Sequence, residues 1–363
     1  MSWTSPLEAD IRRRIMAAGP MPVSEYMAIC LGDPEHGYYT TRDPLGLRGD
    51  FITAPEISQM FGELVGLWIA ATWKKMGAPE AINVVELGPG RGTLLKDALR
   101  AWQVMPGFRE AATLHLVEIS PFLRAAQEKT LQGQAVNWHG TLDEVPDGVA
   151  IIVANEFFDA LPINQAVKSP RGWHERRIEI DSIGKFAFTT ASDPIVGFET
   201  SLPPAVRAAP NGSVFEWRED KPAMQLGRRL ARNGGAALVI DYGHIESDVG
   251  DTLQAVGRHA YADPLTAPGE HDITAHVDFQ AMARAVEAMG AQAYGPLEQG
   301  EFLRRLGIET RAATLKAKAP PQIASGVDAA LARLVGYGRT EMGRLFKAAA
   351  YAHRSLGVPP AFD

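Results

Sequence analysis

The stretch from Ile82 to Ala101 reads INVVELGPGRGTLLKDALRA, and its change of rhythm decides the fold. Ile82, Val84, Val85 and Leu87 form an apolar run that stops at Gly88, Gly90 and Gly92. Leu94, Leu95, Ala98, Leu99 and Trp102 then recur at helical spacing. The pattern predicts a strand, a tight glycine-rich turn and a helix. Glycine permits positive φ and close backbone approach, and the first N–H groups of a helix have no partners inside it, so the turn is suited to an electron-rich group.

Spacing narrows the ligand. A dinucleotide fingerprint G-x-G-x-x-G beginning at Gly88 requires glycine at position 93, where the chain has Thr93; the third glycine stands at Gly92. Glu86 precedes the first glycine by two residues, where a dinucleotide-binding strand stays apolar. The form E-x-G-x-G-x-G is that of an S-adenosylmethionine (SAM) loop, in which Glu86 and the amides around Gly88, Gly90 and Gly92 serve the ammonium and carboxylate of the amino-acid end. A second apolar strand, Leu114 to Val117, ends in Glu118, 32 residues after Glu86 and one βαβ step later. A carboxylate there can accept both ribose hydroxyls. NAD enzymes place an acid similarly, so Glu118 argues for an adenosine site and the glycine spacing argues for SAM. The Gly140-Thr141-Leu142 turn after a third strand puts Leu142 against the adenine.

With 363 residues, 46% hydrophobic and 22% charged, the chain can bury a substantial core. A net charge of −7 and a pI near 5.8 argue against a general nucleic-acid binder. Cys30 is the single cysteine, which excludes an internal disulfide framework and a cysteine-based metal site and points to a reducing compartment. No apolar run reaches membrane-spanning length, and the N-terminus that carries Arg12, Arg13 and Arg14 is interrupted by Glu8 and Asp10, with no apolar segment after it. The expectation is a cytoplasmic protein with no membrane insertion.

Taken in order, residues 1–80 read as an N-terminal helical extension and lid. Ser5-Pro6-Leu7-Glu8 opens a helix that ends near Gly19-Pro20, and Gly49 to Glu56, with Thr53, forms a polar loop placed to fold over a cofactor. Residues 81–300 read as the α/β core. Its fourth strand, Val149 to Ala154, runs into Asn155-Glu156-Phe157-Phe158-Asp159, its fifth is Ala236 to Asp241, and a sixth lies near Thr252 to Val256. Alternation from about 163 to 190 predicts an antiparallel β insertion. Ala291 to Leu297 is the last strand expected, and residues 301–363 read as a helical segment. The long loop Gly257 to Val277 holds His271, Asp272 and His276, with Asp278 just after it; their spacing matches no zinc-binding helix, so a lid over the substrate groove is expected and no metal.

Five motifs in this order, Asp50 to Ser58, Glu86 to Leu94, Asn155 to Pro162, Asp241-Tyr242-Gly243 and His271 to Phe279, resemble the MidA family over roughly Pro20 to Leu306. That family includes the methyltransferase required for assembly of mitochondrial respiratory complex I. The resemblance implies a class I SAM-dependent methyltransferase with a Rossmann-like seven-stranded sheet, and symmetric dimethylation of a protein arginine. The chain looks like a bacterial-type member without a transit peptide. A carboxylate matches the planar fork of a guanidinium and eases loss of its proton. Glu156 and Asp159 are therefore the catalytic candidates, with Asn155 orienting the cofactor or the acceptor. The plainer roles are a loop tie for Glu156 and a helix cap for Asp159. Three readings stay open: a protein arginine methyltransferase, a methyltransferase acting on a small molecule, and a non-catalytic assembly factor that binds SAM.

Overall fold

The computed structural model describes residues 5–41, 53–257 and 260–363. By its internal contacts the chain falls into a larger unit, Ile52–Phe158 with Asp220–Ile245 and Ala281–Asp363, and a smaller one, Met1–Phe51 with Asp159–Glu219 and Glu246–Gln280. This partition cuts across the three consecutive segments expected from sequence. The N-terminal 80 residues are shared between the units, and the smaller unit draws on three separate pieces of chain.

Seven strands carry the larger unit: β1 (Ile82–Leu87), β2 (Ala112–Val117), β3 (Val136–His139), β4 (Ala150–Asn155), β5 (Gly235–His244), β6 (Gln292–Glu298) and β7 (Phe346–Ala352). They lie in the order β6-β7-β5-β4-β1-β2-β3. Strands β3, β2, β1, β4 and β5 are parallel, while β7 runs antiparallel to both β5 and β6. Parallel strands covered on both faces read as continuous apolar runs, which is why β4 and most of β5 are wholly buried. Centred on β1, with Leu87 opposite Val117 on one side and Ala154 on the other, the sheet reverses its strand order. The carboxyl edge at such a reversal is where open α/β sheets bind ligands. This is the class I methyltransferase sheet that the motifs imply.

Strand β7 corrects the expectation that everything after Glu301 is helical. Helices Ile308–Lys316 and Pro321–Val335 are present, but the chain then returns as FKAAAYA between β5 and β6. Alanine favours helices in isolation, yet all seven residues are buried in a central strand. The segment near Thr252 to Val256 is also corrected: it forms no part of this sheet.

Two helices hold the turn after β1 in place. Helix α1 (Gln59–Lys75) opens on Ser58, whose Oγ accepts the Met60 N–H at 3.2 Å, and it packs on α2 (Thr93–Ala101). The contact is close because of two glycines. A Cβ on Gly62 would lie 2.7 Å from Asp97 Cβ, and one on Gly66 would lie 2.6 Å from Ala98 Cα.

In the smaller unit the helix opened by Ser5 spans Pro6–Ala18, with Ser5 Oγ accepting the Glu8 N–H at 3.1 Å. Strands Ile163–Ser169, Gly172–Ile180 and Phe186–Thr190 form the expected antiparallel insertion. It extends further than expected, through Val214–Arg218, and Met21–Pro22 joins its edge. Gln254–Gly257, Ala260–Ala262 and Asp272–Thr274 make a separate three-stranded sheet, so the supposed long loop contains two short strands. Among the described residues no helix is long and apolar enough to cross a membrane, and no group of three or more His, Cys, Asp or Glu is arranged to hold a metal.

Candidate active site

The turn after β1 is built as its glycines require. Gly88, Gly90 and Gly92 have φ of 60°, 54° and 79°, a region that side chains rarely enter. At Gly88 a Cβ would also stand 2.7 Å from Phe157 Cδ2, so the turn presses directly on the segment that follows β4. Gly92 begins α2 with no side-chain cap, which leaves the first N–H groups of the helix to solvent or a ligand.

Glu86 lies at the carboxyl end of β1, only 6% exposed, and its Oε2 is buried without a hydrogen-bond partner. Burial alone pushes its carboxyl up to about 8. Asn155 ends the neighbouring β4, and its Oδ1 is likewise buried and unmatched. Two orphaned acceptors on adjacent strands, beside a positive-φ turn, fit a ligand that brings an ammonium group. SAM has one.

Glu118 follows β2. Its Oε1 accepts the Ser120 N–H at 2.7 Å, and its Oε2 accepts Gln127 Nε2–H at 3.2 Å. Burial raises its carboxyl above the usual range, and these hydrogen bonds oppose the rise. An ionised carboxylate has about four acceptor directions, more than these two bonds use, so capacity remains for ribose hydroxyls. Leu142 stands half-buried in a single turn, Leu142–Glu144; its carbonyl and that of Val145, just after the turn, take hydrogen bonds from Arg229 at 3.5 and 2.9 Å.

Beyond β4 the backbone turns at Glu156, whose φ is 50°. Glu156 Oε1 accepts the Ala54 N–H at 2.9 Å and Asn155 Nδ2–H at 3.1 Å. Asp241, within β5 and fully buried, holds the same turn: its Oδ2 accepts the N–H groups of Phe157 and Phe158 at 3.2 and 2.9 Å, and its Oδ1 that of Tyr242 at 3.0 Å. Thr53, half-buried, precedes the short helix Ala54–Ile57, and its side chain makes no capping bond. Glu56 in that helix accepts a hydrogen bond from Thr93 Oγ1, which ties it to α2. Residues 49–52 of the expected lid lie outside the described residues.

Thr53, Glu86, Gly88, Gly90, Gly92, Glu118, Leu142, Asn155 and Glu156 all belong to the larger unit. Asp159 belongs to the smaller unit. There its Oδ1 accepts the Ala160 N–H at 2.8 Å, while its carbonyl takes Arg218 Nη2–H at 2.9 Å and the Ala275 N–H at 3.1 Å. Arg218 also donates to the carbonyls of Leu161, Ala275 and His276, so one guanidinium joins the Asp159 turn to the segment before Val277. Asp272 Oδ1 accepts the Tyr39 hydroxyl at 2.8 Å.

Sequence reasoning gave no role to Gln127, Asp241 or Arg218. Asp241 was visible only as part of a motif. Arg218 ends a strand, Val214–Arg218, beyond the expected insertion, and its partners are carbonyls that no side-chain pattern reveals.

A family model described as "Putative S-adenosyl-L-methionine-dependent methyltransferase" matches residues 64–297. The chain is 38% identical over 348 residues to the Drosophila melanogaster mitochondrial protein arginine methyltransferase NDUFAF7 homolog, covering 87% of this chain and 78% of that protein. With the Homo sapiens mitochondrial protein arginine methyltransferase NDUFAF7 it shares 36% identity over 337 residues, 85% of this chain and 74% of the relative. A Burkholderia thailandensis crystal structure with bound S-adenosyl-homocysteine superposes with a TM-score of 0.83 at 32% identity, covering 98% of this chain and 92% of that one. The sheet order, the orphaned acceptors and these likenesses agree: the chain belongs to this family of SAM-dependent methyltransferases.

Proposed function

We propose that this methyltransferase modifies arginine side chains of a protein, with symmetric dimethylarginine as the product. The observation that carries the reading is the likeness, over 85% or more of the chain, to relatives named as protein arginine methyltransferases. Bound SAM supplies an activated methyl group on its sulfonium. The chain's own residues then have to position, exclude water and manage a proton, and orientation alone is worth about 7–11 kcal/mol of the barrier. Glu86 and Asn155 receive the ammonium, the amides around Gly88, Gly90 and Gly92 the carboxylate, Glu118 the ribose and Leu142 the adenine. Thr53 opens the segment that closes over the cofactor.

Glu156 stands at the end of β4 beyond these contacts, where a carboxylate can grip a guanidinium and draw off the proton lost on methylation. Its bond to the Ala54 N–H means that the same group also organises the loop before α1. Asp159, three residues on, is proposed as a second carboxylate for the acceptor. A subunit of respiratory complex I is the acceptor implied by the family resemblance. A cytoplasmic setting rests on the sequence alone, and the relatives named above are mitochondrial.

The test is to incubate the protein with methyl-labelled SAM and an extract of cells that lack it, then to separate macromolecules from small molecules. Label in one or a few proteins is expected. Label confined to small molecules would replace the reading with a small-molecule methyltransferase, and no transfer at all would leave a SAM-binding assembly factor.

A further inference from the structure

Helix α3 (Pro121–Thr130) presents Leu123, Gln127 and Leu131 along one stripe, the last just past the helix end, and all three are buried. A fully buried amide in an apolar stripe needs partners for its donors and its acceptor. Gln127 finds them in three separate parts of the larger unit. Its Nε2 donates to the Gly90 carbonyl at 2.7 Å and to Glu118 Oε2 at 3.2 Å, and its Oε1 accepts Trp138 Nε1–H, from β3, at 2.9 Å. The indole can only donate, so it settles which end of the amide is oxygen. Both amide hydrogens then point at acceptors, one in the glycine turn and one on the ribose acid.

We propose that Gln127 is a positioning residue for the cofactor, fixing the separation between the Gly90 carbonyl and the Glu118 carboxylate so that the amino-acid end and the ribose are received together. The proposal rests on the reading that Glu118 takes the ribose. Two features support it beyond simple packing. Helix α3 lies directly against the turn, since a Cβ on Gly92 would be 3.6 Å from Gln127 Cα. The bond from Gln127 also opposes the rise that burial imposes on the Glu118 carboxyl.

Gln127→Met keeps the length and the buried volume while removing both donors. Its test is calorimetric binding of S-adenosyl-homocysteine and of the 2′-deoxy analogue to wild type, Gln127→Met, Trp138→Phe and Glu118→Ala. In wild type, loss of the 2′-hydroxyl should weaken binding about tenfold or more, the scale of a hydrogen bond to a charged group. Gln127→Met should bind S-adenosyl-homocysteine at least tenfold more weakly, and its 2′-deoxy penalty should shrink to about twofold, because Glu118 is no longer aimed. Trp138→Phe, which leaves Gln127 in place but frees its amide to turn, should show a smaller loss in the same direction and serves if Gln127→Met does not fold. Wild-type affinity in both variants, or weaker binding with the 2′-deoxy penalty intact, overturns the proposal. Glu118→Ala separates the two levels: unchanged affinity there would instead overturn the ribose reading itself.

Discussion

Glu156 Oε1 accepts the backbone N–H of Ala54 at 2.9 Å, so the carboxylate proposed to meet the acceptor also anchors the segment that leads into α1. The two roles separate by substitution. Glu156→Gln keeps an oxygen for the Ala54 N–H but loses the charge. It should bind SAM within about twofold of wild type while slowing methyl transfer by about a hundredfold or more, the range of general acid–base contributions. Glu156→Ala should in addition lower stability by about 1–3 kcal/mol, since a buried donor is left unmatched. Paired calorimetry and single-turnover transfer on the same preparations check this. Full activity in Glu156→Gln would remove the catalytic role.

Glu118→Ala should weaken SAM binding by about 1.5–3 kcal/mol for each charged hydrogen bond lost, and NAD should not compete with SAM in wild type. Equilibrium dialysis measures both. Equal affinity in the variant would return Glu118 to a purely local role beside Ser120 and Gln127.

The carboxyl of Glu86 titrates near 8 in the folded chain because it is buried with no compensating charge. Between its unfolded value, near 4.5, and 8 the native state holds a proton that the unfolded chain has released. This contribution to stability is therefore full below about 4.5 and declines as pH rises toward 8. An approaching ammonium favours the ionised form, so SAM binding at pH 7 should release a proton, and affinity should rise with pH toward about 8 and fall again where the ammonium of SAM loses its own proton. Calorimetry in two buffers of different ionisation enthalpy reads the proton directly. Glu86→Gln should abolish the release, and a buffer-independent enthalpy in wild type would contradict the assignment.

Asp241 receives three backbone N–H groups with a fully buried carboxylate. Asp241→Asn sets an amide donor against some of those donors. It should lower the free energy of unfolding by about 3 kcal/mol and should weaken SAM binding through the loosened turn after β4. Urea unfolding with and without SAM tests this, and a loss of stability below about 0.5 kcal/mol would show that the turn is held by other means.

What the sequence disclosed follows from where its physics is local. The switch from apolar run to glycines to helical spacing at Gly88 needs no distant partner, and neither does an acid closing the next strand, so β1, α2 and Glu118 were legible. Strand β7 was not, because the residues of FKAAAYA favour a helix alone and are drawn into a strand by β5 and β6 on either side. Arg218 acts on carbonyls of residues 57 to 59 positions away, a relation that leaves no spacing to read. Gln127 did leave a trace. A glutamine four residues from Leu123 and four from Leu131 interrupts an apolar stripe, and a polar residue at such a position either costs stability or has partners.

The central claim is that the methyl group ends on a protein arginine. Its most direct test is acid hydrolysis of the protein that becomes labelled from methyl-labelled SAM, followed by separation of its amino acids. The label is expected in symmetric dimethylarginine, and Glu156→Gln should deliver little of it under the same conditions. Label in lysine or histidine, or label released as methanol from a carboxyl ester, would contradict the account.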